Sequence, residues 1–206
     1  VTAGGRRWTL RDALVIGQMA VTVVLLVTAA LLTRSVAAAL RADVGFRTGG
    51  LAILGTDLEN AGYDQERGQQ FYRRALERLR AMPGVQQAAL SSRTPFSLNF
   101  NIEQIWVPDF HHPGDRGTPT FNVRVSSEYF ETLGVPLVEG RLFTDADTPE
   151  TPAVIVINEA MARRYWPRQS ALGKRIRLRD EGGPLFEVVG IVANHKVQTI
   201  GETDRP

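Results

Sequence analysis

From Ala13 to Thr33 the chain runs through 21 residues without a charge, reading ALVIGQMAVTVVLLVTAALLT, and Gln18 is its one strongly polar side chain. A helix of that length is about 30 Å long, the thickness of a bilayer's hydrocarbon core. In lipid the backbone must satisfy its own hydrogen bonds, so a lone span is a helix. Neither Gly nor Pro occurs between Gly17 and Gly45, and Arg34 to Ala42 is rich in helix formers. The helix is therefore predicted to run beyond the membrane as a stalk over residues 34–45. On it Val36, Leu40 and Val44 fall at i, i+4 and i+8, one apolar stripe. Such a stripe would pack on another stalk helix of the complete protein, or lie on the domain or in the headgroups.

The pattern changes after Gly49-Gly50. Leu51 to Asp57 (LAILGTD) reads as a strand and Asn60-Ala61-Gly62 as a turn. Asp64 is placed to cap a helix over Gln65–Met82, whose apolar stripe is Phe71, Tyr72, Ala75, Leu76 and Leu79, and Pro83-Gly84 stops it. Val85 to Leu90 is a short apolar strand, so these elements make a strand–helix–strand unit. Ser91 to Pro119 is irregular, with four prolines, the aromatics Phe96, Phe100, Trp106 and Phe110, and one strand near Gln104–Val107. Thr120–Val125 alternates apolar and polar residues as a half-buried strand does. Ser126 or Ser127 is expected to cap a short helix ending at Gly134. Strands are expected at Val135–Val138, Ala153–Ile157, Ile176–Leu178 and Phe186–Val192, with a helix over Glu159–Trp166 capped by Asn158. Mixed strands and short helices in this order predict an α+β fold, a mixed sheet with helices packed on it.

Charge orients the anchor. Arg6, Arg7 and Arg11 flank the span on its short N-terminal side, whereas Arg34 and Arg41 are followed by a long domain of mixed charge. The basic cluster favours an N-terminus in the cytoplasm and a domain outside it. A cleaved signal peptide is a rival, since Arg6-Arg7 resembles a twin-arginine start and Ala37-Ala38-Ala39 a cleavage site. However, the apolar run exceeds the roughly 7–15 residues of a signal core, and Arg34 interrupts it before the alanines. The domain lies outside the cytoplasm on either reading.

The remaining composition mostly excludes. Arg and Lys total 24 against 22 acidic residues, and a net +2 makes no case for nucleic acid. Cysteine is absent, which removes disulfides, thiolate metal ligands and a thiol nucleophile. Gly173-Lys174 lacks the spacing of a phosphate-binding loop, and there is no G-x-S-x-G or S-x-x-K. His111 and His112 are adjacent and so cannot share one metal from one helix face. His195 stands alone after the last strand, and Asp57, Glu59 and Asp64 more simply flank a turn and cap a helix. No catalytic, cofactor-binding or metal-binding residue is predicted.

Six blocks, taken in order, resemble the MacB-type periplasmic core domain of FtsX-like ABC transporter permeases. They are the anchor ALVIGQMAVTVVLLVTAALLTRSVAAAL with VGF after it, FYRRALERLRAMPGV, VSSEYFETLGVPLVEGRLFTDAD, AVIVINEAMARRYWP, LGKRIRL and FEVVGIVAN. The likeness is greatest to permeases in which a span and a core domain occur twice. It implies a porter-like periplasmic domain and divides the chain into a cytoplasmic flank (1–12), a membrane helix (13–33), the stalk (34–45) and the core domain (46–206). Because Val1 is not an initiator Met and Thr203–Pro206 follow a strand without a closing element, the chain reads as an excerpt of a longer protein. The resemblance implies three further spans after the core domain. It also implies a cytoplasmic ABC ATPase as partner, a second permease copy or repeat, and a periplasmic partner protein or lipoprotein. Gly140, Arg141 and Phe143 through Asp147 match the family's turn motif, while Asn158-Glu159 and Gly173-Lys174 match two others. Their own chemistry makes these positions structural: turns, a helix cap and the start of a strand. The expected role is mechanical coupling of ATP hydrolysis in a partner to an extracytoplasmic output. The alternative is an extracytoplasmic sensor or ligand-binding domain on a membrane anchor.

Overall fold

The computed structural model describes residues 9–58, 60–97 and 102–197. The chain divides into two units, residues 1–43 and 44–206.

The first unit is one helix, α1 (Leu10–Leu40), with no charge within the span. Thr9 and Asp12 form a reciprocal capping box at its start. Thr22, Thr28 and Thr33 turn their hydroxyls back to the carbonyls of Gln18, Val24 and Ala29 at 2.8–2.9 Å. Three polar groups of the apolar span thus need no outside partner. The predicted stalk is corrected at its far end. The helix stops at Leu40, with Arg41 as C-cap. Val36 and Leu40 share an exposed face of it, but Val44 is not helical and is buried in the second unit. There its carbonyl accepts from the Lys196 amide at 2.8 Å. Gly45 follows at positive φ, a conformation no helix continues through.

The second unit is α+β. Its elements are α2 (Gln65–Arg80), β1 (Ile102–Trp106), β2 (Thr118–Phe121), α3 (Tyr129–Leu133), β3 (Leu137–Gly140), β4 (Val154–Asn158), α4 (Glu159–Tyr165), β5 (Arg175–Leu178) and β6 (Leu185–Val192). They build a mixed sheet in which β2, β1, β5, β6 and β3 run in that order, each antiparallel to its neighbour. β4 also joins β6, in parallel. β6 thus pairs with three strands and organises the sheet.

Two apolar clusters flank it. Ile105, Ile157, Met161, Tyr165, Ile176, Val188 and Ile191 belong to the first, on which α4 packs. Tyr129, Phe130, Leu133, Val135 and Val192 form the second, under α3. Ile191 and Val192 are successive residues of one strand, so their side chains point to opposite faces. The clusters therefore lie on the two sides of the sheet.

Two expected strands are not formed. Leu51–Asp57 and Val85–Leu90 belong to no ladder among the described residues; near the second, one isolated bridge joins Ser91 to Val125. An apolar run becomes a strand only by meeting an edge, and its sequence does not name that edge. As a consequence no residue of α2 is buried, and its stripe of Phe71, Tyr72, Ala75, Leu76 and Leu79 is half-buried. The cap of α2 is as predicted, with Asp64 accepting from the Arg67 amide at 2.8 Å. That of α3 is not: Glu128 holds the position without a side-chain bond to the helix, and Ser126 contributes its backbone carbonyl to the Tyr129 amide.

Candidate functional site

The turn after β3 is locked from both ends. Gly140 has φ +80°, and a Cβ there would collide with the Val189 carbonyl oxygen and Leu172 Cδ2. A Cβ on Gly190, the residue paired with Gly140, would collide with the Arg141 carbonyl oxygen. The two glycines let β3 and β6 close on each other. The Arg141 amide then donates to Val189 at 2.9 Å. Its guanidinium makes two bonds to Asp147, Nη1–Oδ2 at 2.7 Å and Nη2–Oδ1 at 2.8 Å. The Thr144 amide and hydroxyl add donors to Oδ2 at 2.8 and 3.2 Å. The Arg141 hydrogen bonds, with those from Thr144, hold the Asp147 carboxyl well below the usual carboxylate range, and Asp147 raises Arg141 in turn. Phe143 packs on the α3 cluster, stacked on Phe130 at 6.3 Å between centroids. Ser127 fastens the same loop through Asp145 at 2.8 Å.

The two other motifs also rest on β6. Asn158 pairs with Val192, and its Oδ1 accepts from the Met161 amide at 2.9 Å as the N-cap of α4. Asn194 Oδ1, just past β6, accepts from the Ala160 amide at 2.9 Å, a second cap with no signal in the local pattern. Glu159 pairs with Arg163 one turn along at 3.5 Å. The Gly173 amide donates to Val188 at 2.8 Å, and the Lys174 carbonyl accepts from Val188 at 2.8 Å. Lys174 Nζ reaches Asp109 at 3.2 Å. The predicted residues do not surround one cavity; they fix three loops to one strand. Gly190, Asn194 and Asp109 are what sequence reasoning missed. Only Gly190 left a trace, as a glycine inside a strand pattern.

The irregular loop is held by a histidine. His111 is buried and stacks on Trp106 at 5.8 Å. Its Nδ1 accepts from the Val107 amide at 2.9 Å, and Nε2 lies 3.1 Å from Thr118 Oγ1. Phe110 packs edge-on against His111 and Tyr165, while Phe96 lies 5.8 Å from Phe46. The four aromatics are therefore not one patch, and Phe100 lies outside the described residues, as do Glu59, Arg6 and Arg7. His112 is exposed, with its amide on Asp115 at 2.7 Å. His195 meets the Phe130 ring edge-on. Asp57 accepts from the amide and side chain of Asn60, a turn role. No group of three His, Cys, Asp or Glu among the described residues could hold a metal ion.

The sequence profile of the MacB-like periplasmic core domain matches residues 13–205. The chain is 36% identical over 67 residues to YvrN, an ABC transporter permease of Bacillus subtilis, covering 32% of this chain and 16% of that protein. It is 26% identical over 73 residues to the macrolide export ATP-binding/permease protein MacB of Aggregatibacter actinomycetemcomitans, covering 35% of this chain and 11% of MacB. The matches thus span a small part of either relative. Among solved structures, the periplasmic region of MacB from Actinobacillus actinomycetemcomitans aligns over 61% of this chain and 52% of that one, with 19% identity and a TM-score of 0.45. The extracellular domain of the ABC-type transporter YknZ from Gram-positive bacteria aligns over 58% and 55%, with 22% identity and a TM-score of 0.42.

Proposed function

The chain belongs to the MacB-like periplasmic core domain family, whose relatives here are ABC transporter permeases, and from that premise we propose that it couples ATP hydrolysis in a cytoplasmic partner to work outside the membrane. The observation that carries the proposal is the joining, in one chain of that family, of a helix long enough to span a membrane to a sheet domain. α1, at 31 residues, is about 46 Å long, more than the hydrocarbon core needs. The arginines before it favour a cytoplasmic N-terminus. The core domain then stands outside the cytoplasm, where a second permease copy and a partner protein or lipoprotein meet it. Its motif residues serve this role by rigidity: three loops tied to β6 make a body that transmits displacement without deforming.

The test is purification of the full-length protein from its own membranes in mild detergent. It should carry an ABC-type ATPase, as a subunit or as part of its own chain, and a cytoplasm-dependent reporter fused after Pro206 should stay silent. An intact protein with no such ATPase would sink the proposal, as would a fully active reporter.

A further inference from the structure

The chain enters the second unit through Val44–Arg47, and this segment is bound along its length. Val44 is buried, and its carbonyl accepts from the Lys196 amide at 2.8 Å. Phe46 packs on the second apolar cluster. The Arg47 amide donates to the Leu133 carbonyl at 2.7 Å, and the Arg47 side chain occupies the space beside Gly134, the left-handed cap of α3. Gly45 sits between these anchors at φ +76°. Hinges often use small residues, but the surroundings of this one exclude that role. A Cβ on Gly45 would collide with the Asn194 carbonyl oxygen and with His195 Cα. Glycine is required here for the close approach of two backbones and for the positive φ, not for freedom of movement.

The segment that Gly45 meets, Ala193–Lys196, continues β6 and is tied to both faces of the sheet. The Ala193 amide donates to the Pro136 carbonyl, just before β3, at 2.9 Å. His195 meets the Phe130 ring of α3 edge-on. Asn194 holds α4 on the opposite face, its Oδ1 accepting from the Ala160 amide at 2.9 Å. Asn194 therefore has its backbone carbonyl against Gly45 and its side chain on α4. The entry segment reaches α3 directly and α4 through this one residue.

We propose that Gly45 and Asn194 are the positioning residues of a clamp through which displacement of the membrane segment enters the domain and is shared between the two faces of its sheet. The inference deepens the coupling reading of the preceding section and rests on it. Close-packed interiors have low compressibility and transmit strain. A displacement applied at Val44 is carried to the end of β6 by the Lys196 hydrogen bond and the Gly45 contact. Phe46 and Arg47 carry it to α3, and Asn194 carries it to α4. A slack entry segment would instead absorb the same displacement as rotation about its own bonds, and the sheet would not follow. The glycine that looks like a point of freedom in the sequence is thus the place where freedom is removed.

The test uses the complete protein with its ATPase in lipid nanodiscs. This chain has no cysteine, so Glu150→Cys, at an exposed turn, carries a donor fluorophore, any cysteine elsewhere being replaced by serine. Headgroup-labelled lipid is the acceptor. Trapping with ATP and vanadate is expected to change energy transfer in the wild type. Gly45→Ala should lose that change, and Asn194→Ala should reduce it. Asn194→Asp keeps an acceptor oxygen at the start of α4 and should restore it. Asp64→Ala also removes a helix cap, that of α2, which lies outside the clamp, and should keep the full change. Tryptophan fluorescence checks folding of each variant; where Gly45→Ala does not fold, the two Asn194 variants decide. A full change in Gly45→Ala and Asn194→Ala would overturn the clamp, and so would a failure of Asn194→Asp to restore it. Equal loss in Asp64→Ala would mark a general effect of stability and overturn it too. A wild type that hydrolyses ATP with no change in transfer would sink the coupling reading and the clamp together. Fully responsive Gly45 and Asn194 variants beside a responsive wild type would sink the clamp alone.

Discussion

Arg141 and Asp147 face each other across the turn that follows β3, with the two terminal guanidinium nitrogens each donating to one carboxylate oxygen, at 2.7 and 2.8 Å. The residues between them carry Phe143 into the α3 cluster. The pair therefore closes a loop whose middle is already anchored, and the geometry is two-pronged rather than a single flexible contact. Because Arg141 is about half exposed, at 47% for its side chain, solvent screens much of the attraction. Asp147→Asn should cost about 1 kcal/mol, measured by urea unfolding of the chain in detergent and followed by tryptophan fluorescence.

The same pair sets a pH dependence. The folded state holds the Asp147 carboxyl lower than an unfolded chain does. Its contribution is then complete above the ordinary aspartate value of about 3.9 and is lost as pH falls toward the lower folded value. Stability of the wild type should decline below about pH 4. The Asn variant should show a shallower decline there and an unchanged slope between neutrality and that point. Equal acid limbs would show that other carboxylates govern the decline.

Gly140 and Gly190 test the closure of β3 on β6. Each replacement by Ala brings a Cβ against a backbone carbonyl of the facing segment, and backbone cannot swing aside as a side chain can. Gly140→Ala adds the strain of a positive φ. Either should cost about 2 kcal/mol or more. The double variant should cost less than the sum, since both insertions force the same strands apart. Full additivity would mean that the strands relax independently.

Burial separates truncations on α2 from one on β5. The apolar stripe of α2 predicts a core helix, and truncating Phe71 or Leu79 would on that basis cost about 2–5 kcal/mol. Both residues are only half-buried, so Phe71→Ala or Leu79→Ala should cost about 1 kcal/mol or less. Ile176, on β5, has no exposed surface and belongs to the larger cluster. Ile176→Ala should cost about 2–4 kcal/mol. Unfolding midpoints for the three variants decide the order.

That contrast shows where the sequence is informative. The span, the Asp64 and Asn158 caps and strands β4 to β6 were legible because each signal is local: an uncharged run, a capping residue, a short apolar or alternating stretch. Leu51–Asp57 and Val85–Leu90 carry the same local signal and form no ladder, because pairing depends on an edge supplied from elsewhere in the chain. The reach of the stalk was misjudged for a related reason. Helix propensity continues through Ala42, but burial of Val44 and the bond from Lys196 to its carbonyl compete for the chain there and win. The common anchor of the motif residues on β6 could be seen only in three dimensions.

The helix end yields the last prediction. α1 continues without Gly or Pro after Gly17 up to Leu40, and Arg41 closes it with its amide on the Ala38 and Ala39 carbonyls. If the permease reading holds, displacement on the cytoplasmic side reaches the core domain through this last turn, and stiffness matters more than side-chain chemistry. Ala38-Ala39 are the residues to break. Gly followed by Pro at these positions removes a helical hydrogen bond and places the proline ring against the preceding turn, at about 3 kcal/mol of local helix stability. The span from Ala13 to Thr33 and the packed clusters of the second unit are untouched by the change. Membrane insertion and the unfolding midpoint of the domain should therefore stay as in the wild type. In the complete transporter ATP hydrolysis should continue while the extracytoplasmic output falls, the signature of uncoupling. The checks are ATPase rate, output and domain unfolding on the same preparation. Unchanged output from a well-inserted variant would show that force does not pass through this turn.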